Sequence, residues 1–233
     1  MRLLEKSALV LAAAVALPLA AAPAMASAST IAAWEMNESA RYGGVMHDST
    51  SNNINGNIGD KVQRHEVRGD RVGYRFFVDG SKGAGQDRLV TVADRDALDP
   101  GKRTYVVEVG IRTGASNQNI IQKGQANTTG GFFKVDMTKG IVYCVFKGST
   151  GKRSIGSGIR LDDAARHLIK CKRQGQEVSI TVDGKTPRRI SGPTGNISNG
   201  DPLTIGGKKY CNGDTVGCDY FVGVLDRIVL RAG

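Results

Sequence analysis

Histidine is scarce in this chain, three residues in 233, and tryptophan occurs once. Three histidines leave little material for His-based acid–base catalysis or for a multi-histidine metal site. No apolar run reaches the roughly 20 residues that a membrane-spanning helix needs. There is no Gly-X-Ser-X-Gly element for a hydrolase nucleophile, and no Walker-type loop leads into a helix. The four cysteines contain no Cys-X2-Cys pair. What the chain has in excess is glycine, 31 residues or about 13% against roughly 7% in average proteins. No Gly-X-Y period accompanies it, which excludes collagen, and 40% hydrophobic residues exclude a disordered tail. Glycines punctuating short apolar runs are the pattern of a turn-rich all-β protein.

The amino-terminal segment reads as a secretory leader. Arg2 and Lys6 flank Glu5, Ala8 to Ala22 run apolar apart from Pro18, and Ala24-Met25-Ala26 supplies small residues before a cut after Ala26. The expected organisation is a leader over 1–26 and a single exported domain over 27–233. That domain retains 30 of the 32 Lys and Arg and 21 of the 22 Asp and Glu.

Export makes the cysteines readable as disulfides rather than zinc ligands. Cys211 and Cys218 bracket a turn-rich loop, Asn212-Gly213-Asp214-Thr215-Val216-Gly217, and are expected to pair. Cys144 lies in Ile141-Val142-Tyr143-Cys144-Val145-Phe146 and Cys171 in Leu168-Ile169-Lys170-Cys171-Lys172-Arg173, so the second bridge is expected to join two neighbouring strands.

Period two dominates from residue 30 onward. Tyr105, Val107, Val109 and Ile111 alternate with Glu108, Gly110 and Arg112, and Val178, Ile180 and Val182 alternate ahead of an Asp183-Gly184 turn. Further strands are expected at 31–36, 73–78, 88–93, 118–122, 131–137, 140–147, 153–157, 167–173, 186–191, 202–206 and 220–231, with one helical turn at 161–166. About a dozen antiparallel strands in one domain predict an all-β, two-sheet antiparallel jelly-roll sandwich.

The order of motifs resembles the laminin G-like domains of the concanavalin A-like lectin/glucanase superfamily. Ala33-Trp34-Glu35-Met36-Asn37 resembles the opening strand, and His47-Asp48-Ser49-Thr50 through Asn55-Gly56 the loop after it. Ile120-Ile121-Gln122-Lys123-Gly124 is similar to the Lys-Gly strand end. Arg166-His167-Leu168-Ile169-Lys170-Cys171 through Val182-Asp183-Gly184 is similar to the late hairpin, with Arg166 standing where the family usually has Trp. Pro202-Leu203-Thr204-Ile205-Gly206 and Val222-Gly223-Val224-Leu225-Asp226 resemble the two closing strands.

The resemblance implies a recognition module rather than a catalyst. The Glu-X-Asp-X-Glu and Glu-X-Asp-X-X-Glu triplets of glucanase relatives are absent from residues 27–233. It also implies one calcium ion, held by Asp48, Asn55 and Asp226. Asp48 to Gly59 offers one carboxylate, four Asn and two Gly, the oxygen-rich turning chain that calcium takes. The competing reading is an Asx-turn loop with an Asp226–Arg bridge.

The positive surplus, in pairs such as Lys102-Arg103, Lys152-Arg153, Lys170/Lys172-Arg173, Arg188-Arg189 and Lys208-Lys209, attracts anionic polymers. Tyr210 and Tyr220 flank the Cys211–Cys218 loop beside Lys208 and Lys209, which makes these four the expected ligand surface. The expected partner is a carbohydrate, an acidic or cell-surface glycan or another anionic surface polymer, met by a secreted monomer. Nucleic acid is not expected, since basic and aromatic residues do not interleave. Two alternatives stay open: a glycoside hydrolase or lyase on the same fold, and a protein-adhesion or envelope module.

Overall fold

The computed structural model describes residues 28–39, 41–69, 71–77, 85–212 and 215–233. The expected leader lies outside them. Fifteen strands are formed among them: β1 (Ser29–Trp34), β2 (Tyr42–Met46), β3 (Gly56–Arg68), β4 (Arg71–Phe76), β5 (Val90–Val92), β6 (Tyr105–Arg112), β7 (Gln118–Lys123), β8 (Phe132–Thr138), β9 (Ile141–Gly148), β10 (Gly151–Arg160), β11 (Arg166–Gln174), β12 (Glu177–Val182), β13 (Arg188–Ser191), β14 (Leu203–Ile205) and β15 (Gly223–Ala232). All pair antiparallel. One layer runs β4-β15-β6-β11-β12-β13, with β1 also against β15, and the other runs β5-β14-β7-β8-β9-β10. β3 serves both: Gly56–Ile58 pairs with β5, and its far half from Gln63 pairs with β4. The jelly-roll sandwich read from the sequence is the architecture found.

Alternation decides which residues enter the space between the layers. On β11, Ile169, Cys171 and Arg173 are buried while Lys170 is exposed and Lys172 half-buried. Ile180 of β12, Val107 of β6 and Val135 and Phe133 of β8 join them in one apolar core with Trp34, Tyr74, Tyr105 and Phe146. Trp34 is fully buried and donates its indole N–H to the carbonyl of Ile54 at 2.8 Å, which satisfies the polar end of an otherwise apolar ring.

Arg173, counted in the sequence among the surface charges, turns inward instead. It is 2% exposed, and its guanidinium donates to the carbonyls of Pro100, Gly101, Arg103 and Gly195. Burial without a carboxylate partner lowers its pKa to about 10.

Three expectations change. Cys144 and Cys171 are bonded, but β9 and β11 are not neighbours in a sheet. They belong to opposite layers, and the bridge staples one sheet to the other across the core. No α-helix is formed among the described residues, and 163–165 is a bend: Asp163 accepts from the amide of Ala165, and Ala164 donates to the carbonyl of Thr113 with φ 61°. A side-chain turn of that kind competes directly with helix. β2 and most of β3 were not expected, because Gly43 and Gly44 adopt positive φ and polar residues fill β3.

Candidate functional site

β7 holds an unusual load for a buried strand. Gln118, Asn119, Gln122 and Lys123 are each no more than 4% exposed, and buried polar groups need partners. Gln118 donates to Thr113 and Ala115 and accepts from the amide of Val222. Asn119 donates to the carbonyl of Gly207, while its Oδ1 is buried without a partner among the described residues. Lys123 reaches Asp94 at 2.7 Å and Asp99 at 2.8 Å. No described residue hydrogen-bonds the side-chain amide of Gln122, which opens into a cleft of about 600 Å³.

The cleft lies outside the sandwich. Gln122 is in register with Lys134 of β8 and Thr204 of β14. Val135, next along β8, points into the core, so Lys134 faces the opposite way. The walls come from two loops. Residues 124–131 fold down after β7, where Gly130 and Gly131 carry φ near 88° and 89°. A Cβ on Gly131 would stand 2.2 Å from the carbonyl oxygen of Lys147, and one on Gly130 1.8 Å from that of Ser198. Only glycine permits both the conformation and the approach.

The facing wall is the segment around Tyr210, closed by the Cys211–Cys218 disulfide. Gln125 ties the walls together: its Oε1 accepts from the Tyr210 amide at 2.9 Å and its Nε2 donates to the Tyr210 carbonyl at 2.9 Å. Tyr210 is half exposed, and Lys209 Nζ lies 5.2 Å from its ring centroid. Thr128 donates to Asp201 at 2.6 Å, and Phe132 contributes apolar surface.

Of the four expected ligand residues, Lys208 and Tyr210 line this cleft and Lys209 lies beside it. Lys208 pairs with Asp219 and donates to the carbonyl of Gly217, so it braces the loop. Tyr220 is not with them: its hydroxyl accepts from the amide of Gly85 and Arg88 lies 5.1 Å from its ring centroid. Gln122 and Gln125 were missed in the sequence. The signal was there in a six-residue buried strand, Gln-Asn-Ile-Ile-Gln-Lys, with four polar side chains.

The residues expected to hold calcium do not fit an ion as they stand. A carboxylate offers about four acceptor positions, and those of Asp48 receive the amides of Ala33, Thr50 and Ile54 and the hydroxyl of Thr50, all at 2.8–3.0 Å. Asn55 Oδ1 accepts from the Asp48 amide. Asp226 is gripped by the Nε and Nη2 of Arg166. The described residues contain no cluster of three His, Cys, Asp or Glu side chains suited to a metal.

The described residues contain no helix long and apolar enough to cross a membrane. His167 bridges Asp163 and Asp183 at 3.1 and 2.8 Å. Burial alone would lower its pKa, but the hydrogen bonds to Asp183 and Asp163 outweigh that and raise it.

Comparison with known proteins agrees with the architecture. The chain resembles the crystal structure of the binding domain of Paraclostridial Mosquitocidal Protein 1, with a TM-score of 0.65 and 12% identity over 87% of this chain and 48% of that one. It therefore spans about half the length of that binding domain. Domain 4 of AbnA, a GH43 extracellular arabinanase from Geobacillus stearothermophilus, in complex with arabinotriose, gives a TM-score of 0.62 and 11% identity over 88% of this chain and 93% of that domain. Domains LG4-5 of the mouse laminin alpha1 chain give 0.50 and 14% identity over 72% and 45%. No curated protein matches the sequence significantly. The family model of the laminin G domain matches residues 111–232, from the end of β6 to the end of β15. The chain belongs to the laminin G domain family.

Proposed function

We propose that this chain is a secreted, non-catalytic module that recognises carbohydrate, and that the glycan lies in the cleft between Gln122 and Tyr210. The observation that carries the reading is the Gln122 amide, which no described residue hydrogen-bonds and which opens to a cleft whose rim bears an exposed aromatic ring. A ligand hydroxyl that both donates and accepts can replace water on that amide without loss of hydrogen bonds. Tyr210 gives a sugar ring a flat apolar face, and Asn127, Thr128 and Thr129 add polar groups along one wall.

The charges favour binding over turnover. Glycoside hydrolysis needs two carboxyl groups across one cleft. Among the described lining residues Asp201 is the one carboxylate, and it already accepts from Thr128. Lys134 is paired with Asp136 and Lys208 with Asp219. Two disulfides suit an oxidising compartment, in keeping with the leader expected over 1–26. The complex of the AbnA domain with arabinotriose supports the choice of small neutral oligosaccharides as first probes.

The test is depletion of the oxidised protein by insoluble neutral and acidic polysaccharides and bacterial cell walls at low and high salt, with the supernatant assayed for new sugar ends. Depletion that survives salt, is lost in Tyr210→Ala and releases no product is expected. Released product, or depletion that salt abolishes on every matrix, contradicts it.

A further inference from the structure

Lys123, at the Lys-Gly end of β7, is a fully buried ammonium set between two carboxylates. Its Nζ lies 2.7 Å from Asp94 Oδ1 and 2.8 Å from Asp99 Oδ1, and it donates to the carbonyl of Asn199 at 2.5 Å. Three fixed acceptors use all three of its donors, so the nitrogen cannot turn away. Asp99 is buried as well, whereas the side chain of Asp94 is 38% exposed. One ammonium between two carboxylates leaves a negative charge unmatched, and burial makes such a charge costly.

Asp99 is gripped from its other side too. Its Oδ2 accepts from the Ser198 hydroxyl at 2.9 Å, and its Oδ1 faces the Asn199 amide at 3.4 Å. Its own backbone carbonyl accepts from Arg103, and its amide closes the short turn Asp96–Leu98 that leads toward β6. Gly124, with φ 78°, lets Asn199 close against the end of β7, since a Cβ there would stand 2.8 Å from its Nδ2. Three separate segments therefore hold an amine nitrogen, a carboxyl group, a second carboxylate and a hydroxyl donor in mutual contact.

The geometry points to an intramolecular amide between Lys123 Nζ and Asp99 Cγ, formed by the folded chain itself. Asp94 takes a proton from the Nζ ammonium, and the freed amine attacks Cγ of Asp99. Negative charge gathers on Oδ2 in the tetrahedral intermediate, where the Ser198 hydroxyl already donates. The N–C bond forms, the C–Oδ1 bond breaks, and Oδ1 leaves as water with the two protons that nitrogen sheds through Asp94. Ammonium and carboxylate become amide and water, with no net change of charge and nothing oxidised or reduced. Asp94 ends as the carboxylate it began as, and its exposed flank gives the water a way out. Holding both partners in contact before reaction removes the entropic barrier to condensation. The bond ties β7, which carries Gln122, to the segment leading into β6 of the opposite layer.

The experiment is mass spectrometry of the folded, secreted protein before and after complete reduction. The reduced chain, counted from its measured amino terminus, should be lighter than its sequence by one water. Trypsin should leave the bond after Lys123 uncut, and peptide 96–102 should stay joined to peptide 113–134 after reduction. Lys123→Arg should have its full mass and release peptide 96–102. Asp94→Asn, changed at a partly exposed position, should fold as the parent does by circular dichroism and remain unlinked. A parent chain that trypsin cuts after Lys123, with peptide 96–102 free, would overturn the inference, whether its mass is full or a water is lost elsewhere. Asp94→Asn linked as completely as the parent would overturn the relay through Asp94.

Discussion

Gln125 clasps the backbone of Tyr210 at both its amide and its carbonyl, across 85 residues of sequence. The pair locks an exposed aromatic ring into one place relative to β7, and with it the width of the cleft. Replacing Gln125 by Ala removes two hydrogen bonds, each worth about 0.5–1.5 kcal/mol. The expected result is a small fall in Tm and a loss of glycan affinity of about tenfold, measured by titration calorimetry beside circular dichroism.

Arg166 and Asp226 lead to a second expectation. Their contact depends on Gly110, where a Cβ would stand 2.0 Å from Asp226 Oδ1. Asp226 is 9% exposed, so Arg166→Ala leaves a nearly buried carboxylate unpaired. That should cost about 3 kcal/mol, the low end of the range for breaking a buried pair, because the Arg166 side chain is a quarter exposed. Gly110→Ala should destabilise by a similar route. In the parent protein, where Asp48 has no acceptor position left, calcium and EDTA should leave Tm unchanged in a thermal scan. A calcium-dependent rise would show that the loop rearranges to take the ion.

His167 makes stability depend on pH. Its pKa is raised in the folded state, so its contribution is complete below the ordinary histidine value of about 6.5 and fades as pH rises through the raised value. Asp183 is lowered, burial opposing and the His167 hydrogen bond prevailing; its share is present above the ordinary carboxylate value and is lost as pH falls through the lowered one. The Tm difference between the parent and His167→Gln should be largest near pH 5–6 and smallest above pH 8.

The two disulfides separate stability from function. Cys144–Cys171 closes 27 residues and pins the two layers together, whereas Cys211–Cys218 closes seven at the rim of the cleft. Chain-entropy arithmetic assigns the first about 3.5 kcal/mol and the second about 2.4. Cys144→Ala/Cys171→Ala should therefore lower Tm more, while Cys211→Ala/Cys218→Ala should weaken glycan binding more by loosening Tyr210.

Much of the fold was readable because one side of each strand is apolar. Tyr105 to Ile111 and Val178 to Val182 announce their buried faces by alternation, and the order of motifs led to the laminin G family. β2 escaped because two glycines at positive φ break the alternation. The loop at Asp48 stood between a metal cradle and an Asx turn because Asn and Asp suit both equally; the hydrogen bonds it makes are those of a turn. Tyr210 was readable from its place beside a disulfide loop, but Tyr220, two residues beyond the other cysteine, turned to Arg88. Gln122 stayed hidden in an expected strand, since an unbonded amide shows itself only once its neighbours are known to be bonded elsewhere. Arg173, counted with Lys170 and Lys172 among the surface charges, points into the protein.

The central claim is that the Gln122–Tyr210 cleft holds a glycan, and the most direct measurement is an amide-resolved NMR titration of the oxidised protein with arabinotriose and a set of neutral oligosaccharides at high salt. Shifts concentrated on Gln122, Gln125, Thr128 and Tyr210, and abolished in Tyr210→Ala, are the result the account predicts. Shifts confined to other surfaces, or none with any sugar, would contradict it.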